Sequence, residues 1–362
     1  MRAAVCRAFG APLEIEELTL DPPQKGEVEV RLVASAICHS DIALVDGAWG
    51  GELPAVFGHE AAGVVEGVGP GVENVGRGDR VVVSLLRCCG KCFFCLRGES
   101  HLCEHEFPAD RTSRLHAGDG SPVVQGLHTA AFAESVVVDE SQLAVMASSL
   151  GFEVASLLGC GVVTGFGAVA DRAAVPEGSS VLVVGTGGVG LNSVQAAAHR
   201  RADTIVAADT EPAKREAALR FGATHVVDPG SDDLLEAVRS ATAGRGVDYA
   251  FVTVGSAGVI EATLRCVRRG GTLVVVGMPP SGETFRVEAV DLAHNDVRIL
   301  GSKMGSARLA DAVPRLVALY ERGELLLDEL ITGRYPLERI NDAIAAARGG
   351  EAIRNIVVLG SE

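Results

Sequence analysis

Four apolar residues, Val181-Leu182-Val183-Val184, run directly into Gly185-Thr186-Gly187-Gly188-Val189-Gly190, and a helical pattern then continues to about Arg200. Few features restrict a fold so tightly. A short continuous apolar run bounded by glycine reads as a strand buried on both faces of a parallel sheet. The glycines after it permit a tight turn and close approach of a pyrophosphate, and the helix N-terminus offers that group free N–H donors. Gly185, Gly187 and Gly190 carry those roles, with Gly188 on the same cofactor-binding turn. A second strand, Thr204 to Ala208, ends in Asp209, 19 residues after Gly190. A carboxylate there can accept the ribose hydroxyls and repels a 2′-phosphate, and no Arg follows it, so NAD is favoured over NADP. Lys214 either adds a contact to the same ribose or is a helix-surface lysine. Apolar runs at Thr224 to Val227, Tyr249 to Val254, Thr272 to Val276 and Val297 to Leu300 alternate with helical segments. About six strands result, enough for a doubly wound parallel sheet.

The remaining sequence has another texture. Short Val-rich or alternating segments at Glu27 to Val33, Ala61 to Val68, Arg80 to Leu85 and Phe132 to Val138, broken by Gly, Pro and Asp, predict an irregular β domain. Helical patterns at Ala307 to Arg322 and Leu337 to Arg348, then a last strand at Asn355 to Leu359, return the chain to it. Two domains are the natural division of 362 residues. No apolar run reaches the 18 residues of a membrane span, and the start, Met1 to Arg7, lacks an export signal's apolar stretch and cleavage site. We expect a cytoplasmic protein. A formal charge of -15 argues against nucleic acid or an anionic membrane surface as partner.

Nine cysteines in such a chain fit metal sites better than disulfides. Cys89, Cys92, Cys95 and Cys103 stand at x2, x2 and x7 separations, short enough for one loop to wrap an ion at sulfur distances of about 2.3 Å. An all-thiolate site is closed, so structural zinc is expected, with an iron–sulfur centre or a reduced thiol cluster as alternatives. Cys88 is a spare neighbour. Glu104 to Gly126 is polar, His-containing and poorly periodic, and reads as a surface loop. Cys38, His59 and Cys160 are far apart in sequence but could converge as two thiolates and one imidazole, a set that leaves a zinc position open for water or substrate. Taken singly, each could equally be a core residue.

In order along the chain, an open Cys-His-Cys set, a four-cysteine knot between its second and third ligands, and a dinucleotide turn after the third resemble the zinc-dependent, medium-chain alcohol dehydrogenases. Gly58-His59-Glu60-x2-Gly63-x5-Gly69-x2-Val72 resembles the family signature. The resemblance covers essentially the whole chain. It implies an irregular β-rich, GroES-like catalytic domain over 1–161 and 304–362, with the structural zinc loop at 88–103, and a Rossmann NAD-binding domain over 162–303. It further implies two zinc ions per chain and NAD(H), with Cys38, His59 and Cys160 holding catalytic zinc.

The implied activity is oxidation of alcohols, primary and apolar or aromatic, to aldehydes and the reverse. Alternatives are a thiol-dependent formaldehyde dehydrogenase and a non-catalytic NAD sensor. Ser40 matches the hydroxyl that accepts the alcohol proton, Asp41 would orient His59, and Glu60 would lie behind the metal as an occasional ligand. By the same carry-over, His39 and Arg354 approach the pyrophosphate, Thr164 and Val189 pack near the nicotinamide, and Val276 presents its backbone to the carboxamide. Trp49, Leu85, Leu127 and Met278 resemble the pocket walls. One position departs from the pattern. Many relatives have a histidine three residues after the relay hydroxyl, and here that residue is Ala43. The long segment after Cys103 suggests a homodimer over a homotetramer.

Overall fold

The computed structural model describes residues 1–146, 149–350 and 352–360. Its contacts divide the chain into two compact units, Met1–Gly161 with Arg308–Glu362, and Val162–Ala307.

The second unit is built on a six-stranded, all-parallel sheet. Its strand order is His225–Val227, Thr204–Ala208, Ser180–Val184, Val247–Val252, Val267–Val275 and Arg298–Gly301. The order reverses beside Ser180–Val184, whose neighbours are the next strand in sequence on one side and Val247–Val252 on the other. Ligands of doubly wound sheets bind outside the carboxyl ends of the strands at such a switch point. Continuous apolar runs make these strands because helices cover both faces of the sheet; Val181, Leu182, Val183, Ile205, Val206 and Phe251 are all buried.

The first unit contains a seven-stranded sheet and a smaller six-stranded one. In the larger sheet Glu27–Ala36 is central, flanked by Glu60–Val68 and Arg354–Val358, with Arg80–Ser84 beyond Glu60–Val68. Its register sets the site. Ala36 lies opposite Glu60 on one side and Ile356 on the other, and Glu60 lies opposite Ser84. One row across the sheet thus ends four strands near the same point, just before Cys38, just after His59 and two residues beyond Arg354. The buried valines of Glu27–Ala36 and Arg80–Ser84 hold this row.

Segment 104–126 is more structured than its polarity suggests. It contains a helical turn, Pro108–Arg111, and two short strands, Leu115–His116 and Pro122–Gln125. Arg114 is 2% exposed and pairs with Glu27, itself 3% exposed, through Nη2–Oε1 at 2.7 Å and Nε–Oε2 at 3.0 Å. The surface-loop expectation fails here because burial of this arginine depends on a carboxylate 87 positions away. No helix among the described residues is long and apolar enough to cross a membrane.

Candidate active site

Cys38 ends an extended segment and caps the helix His39–Val45. Its own N–H donates to Asp41 Oδ2 at 3.1 Å, so the first helical turn folds back on the residue that starts it. Asp41 is buried and its Oδ1 accepts two more bonds, from the Gly58 N–H at 3.0 Å and from His59 Nδ1 at 2.8 Å. That last bond places the imidazole proton on Nδ1 and turns Nε2 the other way. Gly58 has φ +93, and a Cβ there would meet the Phe132 N at 2.6 Å, so only glycine allows this close approach. Cys160 follows Gly159, where a Cβ would come within 2.6 Å of the Val83 carbonyl oxygen.

Potential ligand atoms of Cys38, His59, Glu60 and Cys160 lie within 4.8 Å of one another, and all four residues are buried. The Cys38 thiol is held well below its ordinary range, chiefly by a hydrogen bond from Cys160, with positive charge at His59 and Arg354 assisting. Burial pulls the His59 imidazole down, but the Asp41 carboxylate and Cys38 outweigh it. Burial pushes the Glu60 carboxyl up to about 7 against the pull of Arg354. His59 Nε2 and Glu60 Oε1 are buried without a hydrogen-bond partner. Buried polar atoms are seldom left so. A buried set of two sulfurs, with an imidazole nitrogen and a carboxylate oxygen left without partners, fits a divalent cation, and two sulfurs with one nitrogen fit zinc.

Arg354, expected at a pyrophosphate, is buried and ion-paired with Glu60 Oε2 through Nη2. His39 is exposed and Ser40 half-buried on the first turn of the same helix. Trp49, Leu85 and Leu127 are half-buried in this unit. Cys89, Cys92, Cys95 and Cys103 form a second cluster, half-buried, again with ligand atoms within 4.8 Å. Cys88 lies outside it and its N–H donates to Ser141 Oγ at 3.0 Å.

In the other unit, Gly185 has φ +87, and a Cβ on Gly190 would sit 1.8 Å from the Gly185 carbonyl oxygen. The helix Gly188–His199 can therefore start only if both are glycine. A Cβ on Gly187 would meet nothing within 4 Å, which leaves the open face a pyrophosphate needs. Asp209 Oδ2 accepts from the Thr186 N–H at 2.7 Å and Oγ1 at 3.1 Å, tying the acidic residue to the glycine turn. Lys214 is buried in the helix Pro212–Arg220. Thr164 and Val276 are buried and Val189 half-buried, whereas Met278 is 65% exposed.

Two known domain families match the chain. Residues 24–148 match the alcohol dehydrogenase GroES-like domain, and residues 188–321 the zinc-binding dehydrogenase domain. The NDMA-dependent alcohol dehydrogenase of Amycolatopsis methanolica is 36% identical over 366 residues, covering 99% of this chain and 98% of that one. The chain belongs to the zinc-binding, medium-chain alcohol dehydrogenase family. As a member it is a zinc-dependent alcohol dehydrogenase, an oxidoreductase. The S-(hydroxymethyl)glutathione dehydrogenase of a Synechocystis strain is also 36% identical, over 367 residues, with 98% of this chain and 99% of that one covered. Among solved structures, benzyl alcohol dehydrogenase from Acinetobacter calcoaceticus matches with a TM-score of 0.92 at 32% identity, covering 99% of each chain.

Sequence reading missed Ser84 and Gln142. Ser84 Oγ donates to the Gly159 carbonyl at 2.6 Å, one residue from Cys160. Gln142 closes the capping box Asp139-Glu140-Ser141-Gln142, a pattern visible in the sequence although the reach of its amide is not.

Proposed function

We propose that this dehydrogenase oxidises primary alcohols with apolar or aromatic substituents to aldehydes, with NAD as the acceptor, and catalyses the reverse. The observation that carries the reading is the buried Cys38, His59 and Cys160 set, whose sulfur and nitrogen atoms lie within 4.8 Å of one another and whose imidazole Nε2 is left without a hydrogen-bond partner. When bound, zinc supplies Lewis acidity toward the substrate oxygen and the nicotinamide takes or gives hydride. The chain's own residues do the rest. Asp41 keeps the His59 proton on Nδ1. Arg354 pairs with Glu60 behind the site and holds that carboxyl in place. Ser40 Oγ takes the alcohol proton and passes it toward solvent without a histidine at Ala43, so His39, exposed one residue earlier, is the solvent-facing titratable group beside it on that helix.

Preference for NAD follows from Asp209, and from the commitment of nearby Arg215 to Asp228 at 3.1 Å and to the Asp209 and Thr210 carbonyls, each at 2.8 Å. Leu85, Leu127 and Trp49 support an apolar pocket. The second reading, oxidation of a hydroxymethyl adduct of a small thiol, is favoured by the relatives named S-(hydroxymethyl)glutathione dehydrogenase at equal identity.

NADH formation by the zinc-replete protein, measured against aliphatic, aromatic and polyol alcohols and against formaldehyde with and without glutathione, tests both. Turnover of benzyl-type alcohols that disappears in Cys38→Ala supports the first. Turnover confined to formaldehyde with thiol replaces it with the second.

A further inference from the structure

Residues 126–132 run through an unusual stretch of backbone. Leu127, His128 and Ala130 have φ of 51, 58 and 63, the left-handed region in which a side chain crowds its own backbone. Three such residues in four positions persist only where surrounding bonds over-determine them. On one side the strap is tied to the segment that carries His59. The Ala131 N–H donates to the Gly58 carbonyl at 2.9 Å and the Phe132 N–H to the Phe57 carbonyl at 2.8 Å. A Cβ on Gly126 would meet Phe57 Cδ1 at 2.4 Å, so the start of the strap has no room to retreat.

On the other side it is held at the surface by the His128 imidazole, whose Nδ1 lies 3.0 Å from Asp110 Oδ1, and in the interior by one amide. Gln142 is 1% exposed. Its Nε2 donates to the Ser84 carbonyl at 2.8 Å and to the His128 carbonyl at 3.1 Å, and its Oε1 accepts from the Asp139 N–H at 3.2 Å. Two backbone carbonyls from unrelated segments therefore face one amide, and each adjoins an apolar residue of the proposed pocket: Leu85 follows Ser84, and Leu127 precedes His128. Ser84 also lies opposite Glu60 in the sheet and donates through Oγ to the Gly159 carbonyl beside Cys160.

We propose that Gln142 is a positioning residue that sets the size preference of the substrate pocket. By bridging the Ser84 and His128 carbonyls, it fixes the separation of Leu85 and Leu127 and holds the strap in its left-handed conformation. The inference rests on the reading of Leu85 and Leu127 as pocket walls. Removing the amide leaves both carbonyls buried with one donor fewer, and the strained turn, still tied at Ala131, Phe132 and His128, loses its interior tie and can shift Leu127.

The test compares Gln142→Met, close in volume but without hydrogen bonds, with Gln142→Glu in the zinc- and NAD-loaded enzyme. The kcat/KM ratio of benzyl alcohol to ethanol is measured together with zinc content, Tm and amide exchange over residues 126–132. Gln142→Met is expected to move the ratio at least fivefold, mainly through KM for the larger alcohol, with faster exchange at Ala130 and two zinc ions retained. Gln142→Glu, whose carboxyl can donate only when protonated, is expected to approach the wild-type ratio as pH is lowered toward 5. Equal loss toward both alcohols that follows Tm, with no change in ratio, overturns the proposal. Leu85→Ala and Leu127→Ala separate the two failures. If they move the ratio and the Gln142 variants do not, only the role of Gln142 falls; if none does, the pocket reading falls first.

Discussion

Two clusters of cysteine-containing donors occupy the same unit and are built in opposite ways. The four cysteines between Cys89 and Cys103 are held by bonds within their own loop: the Leu96 N–H to the Cys92 carbonyl, the Gly98 N–H to that of Cys95, the Cys103 N–H to that of Ser100, and the Cys89 N–H to Cys103 Sγ at 3.4 Å. The Cys38, His59, Glu60 and Cys160 cluster is held by sheet register and by Asp41, Ser84 and Arg354, groups spread from residue 41 to residue 354. The local cluster is half-buried and the assembled one fully buried. A site closed by its own loop can be lost without the sheet, whereas the assembled site is a property of the whole unit. Removing a ligand should therefore have different consequences in the two.

The largest effect is expected at the assembled site. Cys160→Ala should lower kcat/KM for alcohols by about 10³-fold or more, since the Lewis acid contributes several kcal/mol and each 1.36 kcal/mol is tenfold. The fold should persist, with one zinc ion per chain by elemental analysis. Cys95→Ser should also leave one zinc ion, but with the converse profile: proteolysis concentrated in 88–103 and turnover retained by the intact fraction. Equal loss of turnover in both would show that the two clusters are not independent.

Next in size is the ion pair behind the assembled site. Glu60→Gln leaves Arg354 buried without its carboxylate, a change that typically costs about 3–5 kcal/mol. For a protein of this size, Tm should fall by roughly 10 °C. Exposed pairs offer the contrast. Glu324→Gln removes a partner of Arg322, and both side chains are about half exposed, so its effect should stay within about 1 kcal/mol. Adding Arg354→Met to Glu60→Gln should recover much of the loss, because an apolar side chain of similar volume needs no counter-charge. If the double variant melts no higher than the single one, the buried charge is not the cause.

The two clusters also differ in how far sequence reveals them. The four-cysteine loop is legible because its spacing is its geometry. The nucleotide-binding unit is legible for a similar reason: buried parallel strands are continuous apolar runs, and the glycine turn must lie between one of them and a helix. Cys38, His59 and Cys160 carry no local signal and emerge only through likeness to a family. What stayed hidden is polar burial. Arg114 sits in a stretch that reads as loop, Arg354 at the start of a strand, and Gln142 in a surface-like cap, yet each is buried by a partner far away in sequence. Periodicity reports which face of an element is apolar. It carries no information about which distant carboxylate or carbonyl will satisfy a polar group placed on that face.

The smallest expected effect is a count of protons. Without metal, burial pushes the Cys103 thiol up to about 12, while backbone N–H groups of Cys95 and Glu104 bring Cys92 down to about 6. At pH 8, Cys103 must give up its proton to become a ligand, whereas Cys92 has already lost its own. Zinc uptake by the four-cysteine loop should therefore release at least one proton and fewer than four, and the number should rise as pH falls through about 6 and Cys92 becomes protonated. Affinity must then weaken toward acid, since every proton to be displaced opposes binding. Titration calorimetry of the zinc-stripped Cys38→Ala chain, in buffers of differing ionisation enthalpy, gives the number for this loop alone. A release of four protons at pH 8 would mean that the backbone N–H groups do not hold Cys92 as a thiolate. The loop would then be a passive chelator, and the contrast with Cys38, whose thiolate is already set by Cys160 and His59, would be sharper still.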